Sequence, residues 1–104
     1  MSASFLNNNR NKRSITLDLK SPSGVDAVKR LAATSDVVVQ NFRPGVVERL
    51  GVGEEELRAV KPDLIYVSIS GFGEIGPYSN RPVYDPIVQA LSGLASVQGG
   101  SDKA

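Results

Sequence analysis

Gly71, Gly73 and Gly76 stand in the order G-x-G-x-x-G directly after Leu64-Ile-Tyr-Val-Ser-Ile69, an apolar run that reads as a buried strand. That spelling is the dinucleotide fingerprint, in which glycines allow a tight turn and close backbone approach to a pyrophosphate. The chemistry also needs a helix opening at the third glycine, so that its N-terminal N–H groups face the phosphates. An acid about twenty positions further on should hold the ribose. Here Gly76 is followed by Pro77-Tyr-Ser-Asn-Arg-Pro82, which is loop chemistry; Asp85 comes too early and Asp102 lies past another glycine pair. The letters match and the context does not. A strand-to-loop transition lining some other pocket accounts for the stretch better.

The remaining candidates for chemistry are cations and carboxylates. Histidine and cysteine are both absent, which removes the commonest general base, thiolate metal sites and disulfides together, so no metal site is expected. Only carboxylates, lysine, tyrosine and hydroxyls could act, and no nucleophile–base pair at a recognised spacing links them. What the chain does offer is Lys20, Arg43 and Arg81 on loops, beside the N–H groups of the glycine stretch. Such a set suits an anionic ligand, for example a nucleotide or a pantetheine phosphate. Each residue also has an ordinary reading. Lys20 and Arg81 fit solvated loop charges, and Arg43 a strand cap or carboxylate partner. Asp18 fits a structural role, Asp85 a helix cap, and Arg49 the favourable end of a helix dipole. Tyr84 could donate a hydrogen bond into a pocket or pack as semi-buried core.

The elements that must position these groups follow from periodicity. Ser14-Ile-Thr-Leu-Asp-Leu19 alternates polar and apolar residues, which predicts a strand with one buried face. Ser21 before Pro22 reads as a helix cap with proline at the first helical position, and Val25, Val28, Leu31 and Ala32 then recur at helical spacing. Asp36-Val-Val-Val-Gln40 predicts a second strand, its valine run typical of a strand covered on both faces. Pro44 opens a short helix through Leu50, with Gly51 as terminator. Glu54–Lys61 reads as another helix, acids first and bases last, stopped by Pro62. Leu64–Ile69 is the third strand. Asp85-Pro86 then reads as an N-cap and first turn, with Ile87, Val88, Leu91 and Leu94 on one helical face. The order predicts an α/β fold: a small three-stranded, mainly parallel Rossmann-like sheet with flanking helices. A sheet so small leaves edges open, so this unit should be part of a larger doubly wound domain. Residues 1–12 are expected to be a flexible segment, 13–98 the α/β unit and 99–104 a flexible tail. In such sheets ligands gather at the carboxyl ends of the strands, which here are Asp18–Lys20, Asn41–Gly45 and Ser70–Asp85.

Composition is that of an ordinary soluble domain: 104 residues, 40% hydrophobic and 22% charged, with a net charge of +1. The basic cluster Arg10-Asn-Lys12-Arg13 is too short to argue for nucleic acid. No apolar run approaches the ~20 residues of a membrane span, and residues 1–9 lack the regions of a signal peptide. The expectation is a cytoplasmic protein with neither nucleic acid nor membrane as partner.

These same loops resemble the class III CoA-transferases, the group that includes formyl-CoA transferase, carnitine CoA-transferases and the α-methylacyl-CoA racemases. The matching words are Asn9–Lys20, Asp36-Val-Val-Val-Gln-Asn-Phe-Arg-Pro-Gly45, Arg49-Leu-Gly51, Pro62–Gly73, Gly76-Pro77, Arg81-Pro-Val-Tyr-Asp85 and Gln89–Gly93. The resemblance implies a coenzyme A thioester and a carboxylic acid as substrates, no tightly bound cofactor, and an interlocked homodimer for the parent protein. It implies CoA contacts at Leu17, Asp18, Leu19 and Lys20, at Asn41, Phe42 and Arg43, at Arg49, and at Val83, Tyr84 and Asp85. It further implies an aspartate nucleophile that forms an acyl anhydride and then an aspartyl-CoA thioester. A carboxylate suits that route because it attacks the thioester and then leaves readily. That aspartate is expected beyond Ala104, so these residues alone should be inactive. Within the family, racemases carry a histidine where Tyr84 stands, and a phenol of pKa ~10 is a poor base. That favours transfer over racemisation. The alternatives are an acyl-CoA racemase of the same family and a non-catalytic α/β binding module.

Overall fold

The computed structural model describes residues 2–99. In chain order the elements are α1 (Ala3–Asn8), α2 (Pro22–Ala33), β1 (Val37–Gln40), α3 (Val46–Arg49), α4 (Glu54–Val60), β2 (Ile65–Ser68), α5 (Asp85–Leu91) and α6 (Leu94–Gly99). Helix α2 starts where the cap chemistry places it: Ser21 Oγ accepts the Gly24 N–H at 3.1 Å and Pro22 fills the first helical position. That cap satisfies one of the amides a helix N-terminus leaves without a partner. Helix α4 carries Glu54, Glu55 and Glu56 in its first turn and Arg58 in its last, as the macrodipole favours. Lys61, just past α4, reaches Asp36 at 3.5 Å and so links the end of α4 to the entry of β1.

The sheet is parallel, with Val37 opposite Ile65, Val38 opposite Tyr66, Val39 opposite Val67 and Gln40 opposite Ser68. Because side chains alternate along a strand, opposite residues share a face. Val38 and Tyr66 turn toward the helices and pack on a core of Ala32, Val47, Val52, Leu57 and Leu64. Leu57 and Leu64 are the most completely buried, at 1% and 0% exposure.

Three expectations are corrected. The sheet has two strands, not three. Residues 14–19, expected as a strand, form none and join no ladder. Alternation makes a strand only where the backbone finds a partner, and Ile15 stays largely exposed. The valine run is covered on one face only: Val37, Val39 and Ile65 lie at 47%, 60% and 57% exposure on the side away from the helices. Finally, Asp85 is the first residue of α5, and Tyr84 occupies the cap position. The apolar stripe from Ile87 to Leu94 is broken by Gly93, whose φ of +79° ends one helix and starts the next. The polar start contains α1, which its composition does not signal and which buries nothing. Gly100–Ala104, including Asp102 and all of the expected tail but Gly99, lie outside the described residues.

Candidate functional site

Two loops leave the carboxyl ends of the strands side by side. The first, Asn41–Gly45, follows β1; the second, Ile69–Tyr84, follows β2. They are joined at the root, where Ile69 donates its N–H to the Gln40 carbonyl at 3.0 Å and Asn41 Nδ2 donates to the Ile69 carbonyl at 2.6 Å. Between them lies a cleft of about 360 Å³ with Asn41, Phe42, Arg43 and Arg49 on one wall and Gly71, Phe72, Arg81 and Val83 on the other. Turns, and no helix, follow Gly76. The glycine stretch is therefore a cleft wall without the helix N-terminus that a pyrophosphate site needs.

The long second loop has its own internal order. Phe72 and Tyr78 stack with centroids 5.6 Å apart, and the Arg81 guanidinium sits 4.4 Å from the Tyr78 ring centre. A cation held over a ring face is oriented without being neutralised, so Arg81 keeps its charge for the cleft.

A second cleft opens beside the first, lined by Leu19, Lys20, Lys29, Asp26 and Arg49. The turn that presents Lys20 is built by Asp18: its Oδ1 accepts the Lys20 N–H at 2.9 Å, and its carbonyl accepts the Ser21 hydroxyl at 2.8 Å. Asp26 pairs with Arg30 at 3.2 Å, which leaves the lysines and Arg49 to set the sign of this surface. Arg49 borders both clefts. A third hollow, lined by Glu48, Glu54, Glu55, Glu56, Glu74 and Tyr66, has the opposite sign. There burial, and then the charges of Glu48 and Glu74, hold the Tyr66 phenol above its ordinary value.

Of the residues singled out from the sequence, Asn41, Phe42, Arg43, Arg49 and Val83 come together at the first cleft, and Leu19, Lys20 and Arg49 at the second. Leu17, Asp18, Tyr84 and Asp85 line neither. Tyr84 is 71% exposed, so it neither packs as core nor points into the first cleft. Asp85 is engaged by Gln89 Nε2 one turn along α5. Sequence reasoning missed Lys29 and Phe72. Lys29 lies four residues past Val25, which lines the same cleft, so helical spacing could have found it. Phe72 carries no signal beyond its place between two glycines.

The geometry defines an α/β unit with two adjoining clefts that share Arg49, one between the strand-end loops and one at the start of α2. Residues 1–104 match the family described as CoA-transferase family III, and the chain belongs to that family. It is 47% identical over 98 residues to the Mus musculus protein named succinyl-CoA:glutarate CoA-transferase, covering 94% of this chain and 22% of that protein. It is 47% identical to the Acetobacter aceti protein named acetyl-CoA:oxalate CoA-transferase, over 90% of this chain and 24% of that one. Among solved structures, a CAIB/BAIF family protein from Brucella suis superposes with a TM-score of 0.82 at 44% identity, covering 91% of this chain and 25% of that one. The chain thus spans about a quarter of the length of these relatives. Among the described residues, no helix is long and apolar enough to cross a membrane.

Proposed function

We propose that this chain supplies part of the coenzyme A site of a cytoplasmic enzyme that transfers CoA between carboxylic acids, acting as an interlocked homodimer. The observation that carries this is the pair of adjoining clefts bordered by Arg49, one with Arg43 and Arg81, the other with Lys20 and Lys29. A CoA molecule is long, polyanionic at its nucleotide end and neutral along its pantetheine arm. The lysine-bearing cleft suits the phosphates. The cleft with Phe42, Phe72 and Val83 suits the arm leading to the thioester.

In the reaction proposed, an aspartate from outside these residues attacks the thioester carbonyl and expels the CoA thiolate, leaving an aspartyl-acyl anhydride. The thiolate then attacks the aspartyl carbonyl, which releases the first carboxylate and leaves an aspartyl-CoA thioester. The acceptor carboxylate attacks that thioester to form a second anhydride and frees the thiolate again. Attack of the thiolate on the acceptor carbonyl gives the new thioester and regenerates the aspartate. The role of this chain throughout is to hold the departing thiolate's carrier in place, so that the thiolate returns instead of diffusing away.

The test is a titration of the labelled 104-residue chain with CoA, followed by amide NMR. Shifts centred on Lys20, Asn41–Arg43, Arg49 and Val83, the residues that line the two clefts, are expected. Silence at these positions up to about 1 mM CoA, where binding is worth only ~4 kcal/mol, would overturn the proposal. Shifts at Gly71–Gly76 with NAD in place of CoA would revive the dinucleotide alternative.

A further inference from the structure

Behind the first cleft a line of hydrogen bonds joins its two walls. The Phe42 N–H donates to Gln40 Oε1 at 2.7 Å, Gln40 Nε2 donates to Ser68 Oγ at 2.6 Å, and Ser68 Oγ donates to Glu74 Oε1. A backbone amide can only donate, so the first bond fixes which end of the Gln40 amide is its oxygen. The NH₂ end must then face Ser68. Ser68, accepting from Gln40, gives its own proton to Glu74, which as a carboxylate only accepts. The direction of every bond is therefore set by the one before it. Strand register places the middle pair: Gln40 and Ser68 are cross-strand partners and share a face of the sheet. Gln40, Ser68 and Glu74 do not themselves line the first cleft, whereas Phe42 at one end and Gly71 and Phe72, just before Glu74, do.

Glu74 shares its hollow with Glu48, Glu54, Glu55 and Glu56. Glu54 is paired with Arg58 at 2.8 Å, but the other carboxylates of the hollow carry the same sign as Glu74 and repel it, and the bond to Ser68 opposes that repulsion. We propose that Gln40, Ser68 and Glu74 are positioning residues that hold the Asn41–Arg43 wall and the glycine loop at a fixed separation, and so set the width of the CoA cleft. This rests on the CoA reading of the cleft. Severing the line at Ser68 leaves Glu74 exposed to its acidic neighbours with nothing to hold it, and the loop swings outward. Severing it at Glu74 removes the last acceptor, and the change travels through Ser68 and Gln40 to the Phe42 amide.

The experiment uses the 104-residue chain with Ser68→Ala, Ser68→Thr and Glu74→Ala, each checked for wild-type far-UV circular dichroism. Without ligand, Glu74→Ala is expected to shift the Phe42 amide resonance, although two side chains separate the residues, whereas Ser68→Thr leaves it in place. With CoA, Ser68→Ala is expected to bind about 3- to 10-fold more weakly and Ser68→Thr within about 2-fold of wild type, the range typical of coupled neighbours. A Phe42 amide unmoved by Glu74→Ala, or Ser68→Ala binding CoA as wild type does, overturns the proposal. A wild-type chain that ignores CoA overturns the CoA reading alone, since the ligand-free Phe42 shift still decides whether the line exists.

Discussion

Val83 closes against Gly71 so tightly that a β-carbon built on Gly71 would lie 1.8 Å from Val83 Cγ1. This contact pinches the neck of the loop after β2 and brings its two ends to one wall of the first cleft. The glycine earlier in doubt as a phosphate contact has a steric reason to be glycine.

Gly71→Ala is accordingly expected to force the neck open. The cost should be about 1–3 kcal/mol, the range for overfilled packing, read as a lower urea midpoint, with CoA-induced shifts reduced or lost. Adding Val83→Ala removes the nearest clashing atom and should recover part of both losses.

Leu57→Ala and Leu64→Ala should each cost about 2–5 kcal/mol, because both side chains are fully enclosed by the small core. A chain of this size holds roughly 5–15 kcal/mol in total. Either substitution should therefore lower the thermal midpoint steeply, while Leu31→Ala, at 49% exposure, should barely move it.

Ser21→Ala removes the acceptor for the Gly24 amide and the donor to the Asp18 carbonyl together. Loss of the cap should cost about 1 kcal/mol. Because the same hydroxyl fastens the turn that presents Lys20, the Lys20 amide should also exchange with solvent faster, measured by hydrogen exchange.

The Tyr66 phenol is held above its ordinary value of 10.0 by burial, then by Glu48, Glu74, Glu54 and Glu56. The unfolded chain releases that proton near pH ~10, while the folded chain keeps it to higher pH. The Tyr66 contribution to stability is thus fully present below about pH 10 and is lost as pH rises through the folded-state value. Tyr66→Phe should abolish this alkaline loss. Since the hydroxyl is buried without a hydrogen-bond partner among the described residues, the change should cost less than about 1 kcal/mol at neutral pH. Urea midpoints across the alkaline range check both statements.

Arg49→Gln should weaken CoA binding by about 10-fold or more, as expected for losing charged hydrogen bonds worth ~1.5–3 kcal/mol. Since Arg49 borders both clefts, the loss should appear with CoA and with its nucleotide portion alone, measured by calorimetry.

Helices were the most legible part of the fold. The Ser21-Pro22 cap, the Glu54–Glu56 first turn and the Pro62 stop are local signals, and the structure places helices where they point. Strands were half legible. Val37–Gln40 and Ile65–Ser68 pair as expected, but residues 14–19 have the pattern of a strand without a partner to complete it. Pairing is a property of two segments, and alternation within one cannot supply it. At the site, sequence order put Arg43 and Arg81 on the strand-end loops, yet the proximity of Val83 to Gly71 arises from a loop path that no local propensity encodes. Tyr84 shows the same limit: Val83, just before it, lines the cleft while Tyr84 faces solvent.

The side of the sheet away from the helices has a colloidal consequence. Val37, Val39 and Ile65 form a bare aliphatic patch on two strands that, among the described residues, pair only with each other and so leave an outer edge on each. Flat apolar surface beside open strand edges is the usual starting point for self-association. Concentration is therefore an experimental variable for this chain, and binding isotherms are best taken where light scattering shows single particles.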